Sequence, residues 1–208
     1  MNNLKTLLIP KIEQIDDFQI NSIINTLENS GKRCIIDSVN WVKEFPYKPL
    51  STFTIAHDGK YIYIVHEWKC FIDVYKYEDK EGIPYFEKIQ SISTLRKNST
   101  QGTVASALSF SVDYKYLLSS NAGDNSVVVY NVDQKTGMLK TNFCLPISGT
   151  YPKDAELFPG NQFLVSLNHE SDTMTFFRAD MEKGIITMNG APMKIQQPNC
   201  IIFHKIKA

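Results

Sequence analysis

The chain has 208 residues, 43% of them hydrophobic and 12% aromatic, which is enough for a packed core and excludes a disordered polypeptide. Lysine plus arginine balance aspartate plus glutamate at 22 each, with no basic block, so neither a nucleic-acid partner nor an anionic membrane surface is expected. The longest apolar stretches are strand-sized and the segment Met1 to Pro10 is too short for a secretory leader, so a cytoplasmic protein is expected.

Taken in chain order, Ile15 to Asn29 places Phe18, Ile20, Ile23, Ile24 and Leu27 near helical spacing, with Asp16 or Asp17 to cap it and Ser30-Gly31 to stop it. This predicts a single helix. Arg33 to Asp37 then reads as a strand, and Glu44 to Pro49, with its two prolines, as an extended connector. From Phe53 onward every signal is β, and the chain repeats itself three times: Phe53 to Gly82, Leu108 to Gly137 and Ala155 to Gly184. Four slots keep one register: Asp58, Asp113 and Gly160; His66, Asn121 and Asn168; Tyr75, Tyr130 and Phe177; Gly82, Gly137 and Gly184. Each slot moves by 55 residues and then by 47.

A repeat of this kind is one unit that cannot bury its apolar face alone. Each copy holds an apolar strand, a turn, a second strand, a polar turn, a third strand and a glycine hairpin leading to a fourth strand. Four antiparallel strands in about 47 residues is the size of a propeller blade. The extra residues between the first two copies fall in Thr94 to Val104, a candidate pocket rim or a solvated loop. The fold class expected is all-β, a partial β-propeller of about three four-stranded blades plus a closing strand at Asn199 to Ile206, with a small N-terminal α+β cap. The domains expected are residues 1–50 for the cap and 51–208 for the blades. Three blades do not close a circle, so the first 50 residues cover an edge, a second copy completes the propeller as a homo-oligomer, or the chain is part of a longer fold.

Cys34, Cys70, Cys144 and Cys200 form no C-x-x-C pair, and His57, His66, His169 and His204 show no ligand spacing with them, so reduced thiols, no metal and no cofactor are expected.

The segments DGKYIYIVHE, KIQSISTL, SNAGDNSVVVYNVDQKTGMLK, YPKDAELFP, LNHESDTMTFFRAD and QPNCIIF, spanning Ser51 to Phe203, resemble the lactonase family of seven-bladed propellers, the group that includes bacterial 6-phosphogluconolactonase. The resemblance implies the C-terminal half of that fold and hydrolysis of a sugar-derived lactone such as 6-phosphogluconolactone. Opening a lactone needs a base for water and cations or N–H donors for the anionic substrate and oxyanion. The family's Asn-Glu-Leu stands here as His66, Glu67 and Trp68, which implies Glu67 as the base. Its Pro-Arg-His is replaced by Leu50, Ser51 and Thr52, and its Ser-Asn-Arg-Gly by Ser120, Asn121, Ala122 and Gly123, so both arginines are lost. Lys153 matches a family arginine position and is the remaining cation; His66, Asn121, Lys153 and His169 are the implied substrate-binding residues of a degenerate site. A solvated strand-end carboxylate is the competing role for Glu67.

Met1 to Ile64, above all Asp37 to Pro49, resembles the opening of family 9-like carbohydrate-binding proteins. That resemblance implies a non-catalytic alternative in which Trp41 and Tyr47 stack on a sugar, against a plain core-packing role. A propeller scaffold that pairs its edges with another chain is a third reading. The expected partner is a small sugar lactone or a carbohydrate.

Overall fold

The computed structural model describes residues 6–9, 33–36, 50–55 and 59–203, apart from 82, 98 and 100–102. The first sheet runs β1 (Thr6–Ile9), β2 (Arg33–Ile36), β3 (Leu50–Ile55), β4 (Tyr61–His66), β5 (Phe71–Lys80) and β6 (Ile83–Ser93) in spatial as in chain order. The second is β7 (Ala105–Phe110), β8 (Tyr116–Asn121), β9 (Ser126–Val132) and β10 (Leu139–Pro146). The third is β11 (Pro152–Leu157), β12 (Phe163–Asn168), β13 (Thr173–Asp180) and β14 (Ile185–Met188), with a short β15 (Met193–Lys194) pairing β13 beyond β14. All pairs are antiparallel except β1 with β2. The sheets pack face to face, with β7 lying between β3 and β11.

Two expectations are corrected. There is no helix among the described residues, and the described parts of residues 1–50 are strands that extend the first sheet to six, not an α+β cap. The helix expected over Ile15 to Asn29 lies outside the described residues. The physical reason for the extension is the open ladder of β3, which β2 pairs at Cys34 opposite Phe53. Residues 199–203 form no closing strand either: the Ile201 amide donates to the Asp154 carboxylate at 3.1 Å, so a side chain takes the place of a ladder partner. The sheets therefore hold six, four and five strands.

The repeat is legible in the backbone. Gly59, Tyr114 and Asn161 share a slot and all have φ between 57° and 68°; Cys70, Asn125 and Asp172 share another, at 53°, 50° and 52°. The middle sheet explains its own sequence. Val128 and Tyr130 of β9 face the first sheet with Leu117, against Tyr63, Val65, Ile72 and Val74. Val127 and Val129 face the third with Leu118, against Ala155, Leu157, Leu164 and Phe177. A strand buried on both faces reads as a continuous apolar run, which is why SVVVY lacks alternation.

Side chains also cross between sheets to satisfy backbone groups. Gln90 of β6 accepts from the Leu139 amide at 2.7 Å and donates to its carbonyl at 2.8 Å. The Tyr61 and Tyr63 hydroxyls donate to the Lys135 and Gly137 carbonyls at 2.8 and 2.7 Å. Gly137 has φ +69° and a Cβ there would overlap the Tyr61 ring, so glycine is required twice over. Asn142 makes the matching contact with the third sheet, donating to the Met181 carbonyl at 2.9 Å.

Candidate functional site

The slot residues His66, Asn121 and Asn168 end β4, β8 and β12, the second strand of each repeat, and the register puts each opposite the start of that repeat's first strand, β3, β7 or β11: Leu50, Ala105 and Pro152. One residue further along, each first strand bulges, between Leu50 and Thr52, between Ala105 and Leu108, and between Pro152 and Asp154. A bulge leaves one residue out of the ladder and re-aims its side chain. In the third sheet that residue is Lys153, whose Nζ lies 4.9 Å above the centre of the Tyr151 ring. In the second, the Ala107 amide is taken up by the Ser120 hydroxyl at 3.2 Å.

Glu67, Ala122 and His169 follow the slot residues and open the turns. Their backbones stitch the first strands in place: the Ala105 amide donates to the Glu67 carbonyl at 2.9 Å, the Ala122 amide to the Val104 carbonyl at 2.7 Å, and the His169 amide to the Tyr151 carbonyl at 3.0 Å. Glu67, Lys153 and His169 are half-buried, while Trp68 is 67% exposed beside Glu67.

His66, Asn121 and Asn168 are buried. Asn121 donates to the Thr94 carbonyl at 2.7 Å and the Ser126 hydroxyl at 3.1 Å. Asn168 donates to the hydroxyls of Thr173 and Thr175 at 3.1 and 2.9 Å and accepts from Ser166. A Cβ on Gly149 would overlap the Asn168 side chain, so that loop rests directly on the amide. His66 Nε2 lies 3.2 Å from Asp73 Oδ2, with the imidazole stacked on Phe71 at 4.3 Å. Asp73 is fully buried, accepts from the Ser91 hydroxyl and has Lys88 Nζ at 3.7 Å. Burial drags the His66 pKa below its ordinary 6.5, against the pull of Asp73.

In the segment Thr94 to Val104, the described residues Arg96, Ser99 and Thr103 are tied to the second sheet. Arg96 forks onto Asp124 through Nε and Nη2 at 3.0 Å each, the Ser99 hydroxyl donates to the same carboxylate at 2.7 Å, and the Asp124 amide donates to Thr103 Oγ1 at 2.9 Å. Burial works against the Asp124 charge, yet the hydrogen bonds from Arg96, Ser99 and Ser126 prevail and hold its pKa below the usual carboxylate value. Cys70, Cys144 and Cys200 are free thiols, and burial pushes the Cys144 thiol up to about 11 and that of Cys70 upward too, so neither of these two is an activated nucleophile.

The fold thus puts Glu67 of the first sheet and Lys153 and His169 of the third at the corresponding ends of their sheets, beside the buried slot residues His66 and Asn168, with Ala122 in that place in the second sheet. Trp41 and Tyr47 lie outside the described residues. Sequence reasoning missed Asp73, Arg96 and Asp124. Asp73 carried a signal, since it interrupts an apolar strand at the place where the other copies have Val128 and Thr175.

A family model described as lactonase, 7-bladed beta-propeller, matches residues 23–203. The match begins ahead of Ser51 and takes in Asp37 to Pro49, so the segment expected to resemble family 9-like carbohydrate-binding proteins falls within the lactonase match, and that expectation is left without support. The 6-phosphogluconolactonase of Bacillus subtilis (strain 168) is 27% identical over 144 residues, 69% of this chain and 41% of that protein. Among solved structures, the periplasmic gluconolactonase of Pseudomonas aeruginosa superposes with a TM-score of 0.67 at 23% identity, over 75% of this chain and 42% of that one. A Lactobacillus plantarum protein gives 0.63 at 24% identity, over 71% and 42%. These structural likenesses concern the fold alone, and the chain spans about two-fifths of the relatives it matches. The cytoplasmic expectation is withdrawn: it rested on the lack of an apolar leader, and a chain of this fold is described as periplasmic, so the blades carry no mark of compartment.

Proposed function

The chain belongs to the lactonase family of seven-bladed β-propellers, and from that premise we propose that it hydrolyses a sugar-derived lactone such as 6-phosphogluconolactone, with a reduced set of polar groups around Glu67. The observation that carries this reading is the half-buried Glu67 on the turn after β4, at the sheet end where the neighbouring strands β3, β7 and β11 each start with a bulge, that of β11 at Lys153. The similarity to a Bacillus subtilis protein named 6-phosphogluconolactonase supports the substrate class.

In the proposed reaction Glu67 takes a proton from water as the water oxygen adds to the lactone carbonyl. The ring C–O bond then breaks, and the leaving alkoxide receives that proton. Lys153, once drawn off the Tyr151 ring, is the cation for the substrate's phosphate or carboxylate, as a point charge without arginine's fork. His66, Asn121 and Asn168 act from beneath, holding the turns. The test is hydrolysis of 6-phosphogluconolactone and of glucono-lactone by the full chain. Glu67→Gln is expected to lower kcat by about 10²- to 10⁴-fold with the thermal midpoint unchanged. Lys153→Met is expected to raise KM for the phosphorylated substrate by roughly tenfold or more and leave the uncharged one nearly unaffected. Hydrolysis indifferent to Glu67→Gln would overturn the assignment.

A second reading, sugar binding without turnover, is favoured by one observation: Trp68, 67% exposed next to Glu67, offers a flat apolar face at the same sheet end. Trp41 and Tyr47 belong to this reading as further stacking residues. Binding of gluconate or a neutral sugar that drops on Trp68→Ala, with no hydrolysis by the parent chain, would select it.

A further inference from the structure

One pair of slots distinguishes the first sheet from the other two. In the third sheet Asn168 closes on Thr175, seven residues on, with Nδ2 donating to Oγ1 at 2.9 Å. In the second, Asn121 closes on Ser126 and Val128 stands in the seventh place. In the first, the same two places hold His66 and Asp73, 3.2 Å apart and 4% and 0% exposed. A neutral amide–hydroxyl contact has become an ionisable one, directly beneath the turn that bears Glu67.

Backbone bonds tie that turn to β7 and close it on itself. The Cys70 amide donates to the His66 carbonyl at 2.9 Å, and the Glu67 carbonyl accepts from Ala105 of the next sheet. Phe71 stacks on the imidazole and fixes its plane. We propose that the His66–Asp73 pair is a proton-sensitive positioning element for Glu67: with His66 neutral the turn is held against β7, and protonation of His66 releases it. Neutral His66 donates from Nε2 to the Asp73 carboxylate. A second proton, on Nδ1, makes the ring a cation in a site with little water.

The charged groups that face it divide. Asp73 of β5 favours the cation, while Lys88 of β6 and Lys69 of the turn oppose it. The nearest residues by register or backbone bond on β3 and β7 are Leu50 and Ala105, neither of which is charged. Burial is the largest influence, and with the two lysines it outweighs Asp73, so the folded pKa lies below 6.5. The unfolded chain then binds the proton more readily than the folded one. Stability is full above about pH 6.5 and is lost as pH falls through the folded value.

Trp68, two residues from His66 and exposed, reports on this turn, and in a Trp41→Phe background it is the sole tryptophan. Its emission is followed in the full-length chain from about pH 8 to about pH 5, alongside thermal melts. A one-proton transition with a midpoint below 6.5 is expected, with the melting temperature falling over the same window. The double variant H66N/D73T rebuilds the Asn168–Thr175 pair in the first sheet and is expected to be flat in both readouts. D73N removes the anion that favours the imidazolium and is expected to move the midpoint to lower pH, by about half a unit or more. The same transition persisting in H66N/D73T, a flat parent chain, or an unmoved midpoint in D73N would each overturn the proposal; D73N decides alone if the double variant does not fold. No readout involves turnover, so failure of the lactonase reading leaves this test intact.

Discussion

Cys70, Asn125 and Asp172 share a left-handed backbone at the close of the turn that follows each slot residue. Asparagine and aspartate tolerate that conformation because their short polar side chains bond locally, whereas cysteine does not share the advantage. Cys70 is held there by its surroundings: its thiol donates to the Glu67 and Thr103 carbonyls at 3.4 and 3.3 Å. Close approach has a similar force at Gly149, where the backbone rests on the Asn168 amide. Gly149→Ala is therefore expected to destabilise the chain by roughly 1–3 kcal/mol, since Asn168 is fixed by Thr173 and Thr175 and cannot yield. A urea titration that shows no change in midpoint would mean the loop, not the amide, gives way.

At the scale of elements, the segment from Thr94 to Val104 behaves as a strap whose anchor is electrostatic. Asp124 is buried under the Arg96 fork, with its side chain 2% exposed, while Arg96 remains 37% exposed. Removing the cation leaves a buried carboxylate with the Ser99 hydroxyl as its remaining partner from the strap. Arg96→Ala is expected to cost about 1.5 kcal/mol and to raise proteolytic nicking within 94–104. The depressed pKa of Asp124 sets the sign at low pH: its stabilisation is present above the ordinary carboxylate value of 3.8 and is lost as pH falls through the lower folded value. Limited proteolysis of parent and variant, compared at neutral pH, checks the strap; equal nicking would show that Thr103 and Thr94 suffice to hold it.

At the scale of the whole molecule, β8 and β9 belong to two interfaces at once. Leu117, Val128 and Tyr130 complete the core against the first sheet, and Leu118, Val127 and Val129 the core against the third. Damage on one side should therefore reach the other. Leu118→Ala, at a fully buried position, is expected to cost about 2–5 kcal/mol. In the Trp41→Phe background, Trp68 of the first sheet should report the same lowered midpoint as far-ultraviolet circular dichroism. Two separated transitions would show instead that the sheets unfold independently.

Much of this was legible in the chain itself. The threefold repeat, the four core strands of each copy, and the shared slot of His66, Asn121 and Asn168 follow from short β-forming runs and from turn residues recurring at constant offsets, because each copy solves one local packing problem with the same residue types. Family membership was legible for the same reason, since the motifs that mark it are strand-turn-strand units of contiguous residues. Tertiary structure alone decided how edges are satisfied and which charges meet. That β1 and β2 extend the first sheet, that Ile201 bonds a carboxylate in place of a strand, that Arg96 finds Asp124 and His66 finds Asp73, all depend on where an unpaired backbone group or a buried charge meets its partner in space. Periodicity records which face of a strand is buried; it carries no record of what lies across from it.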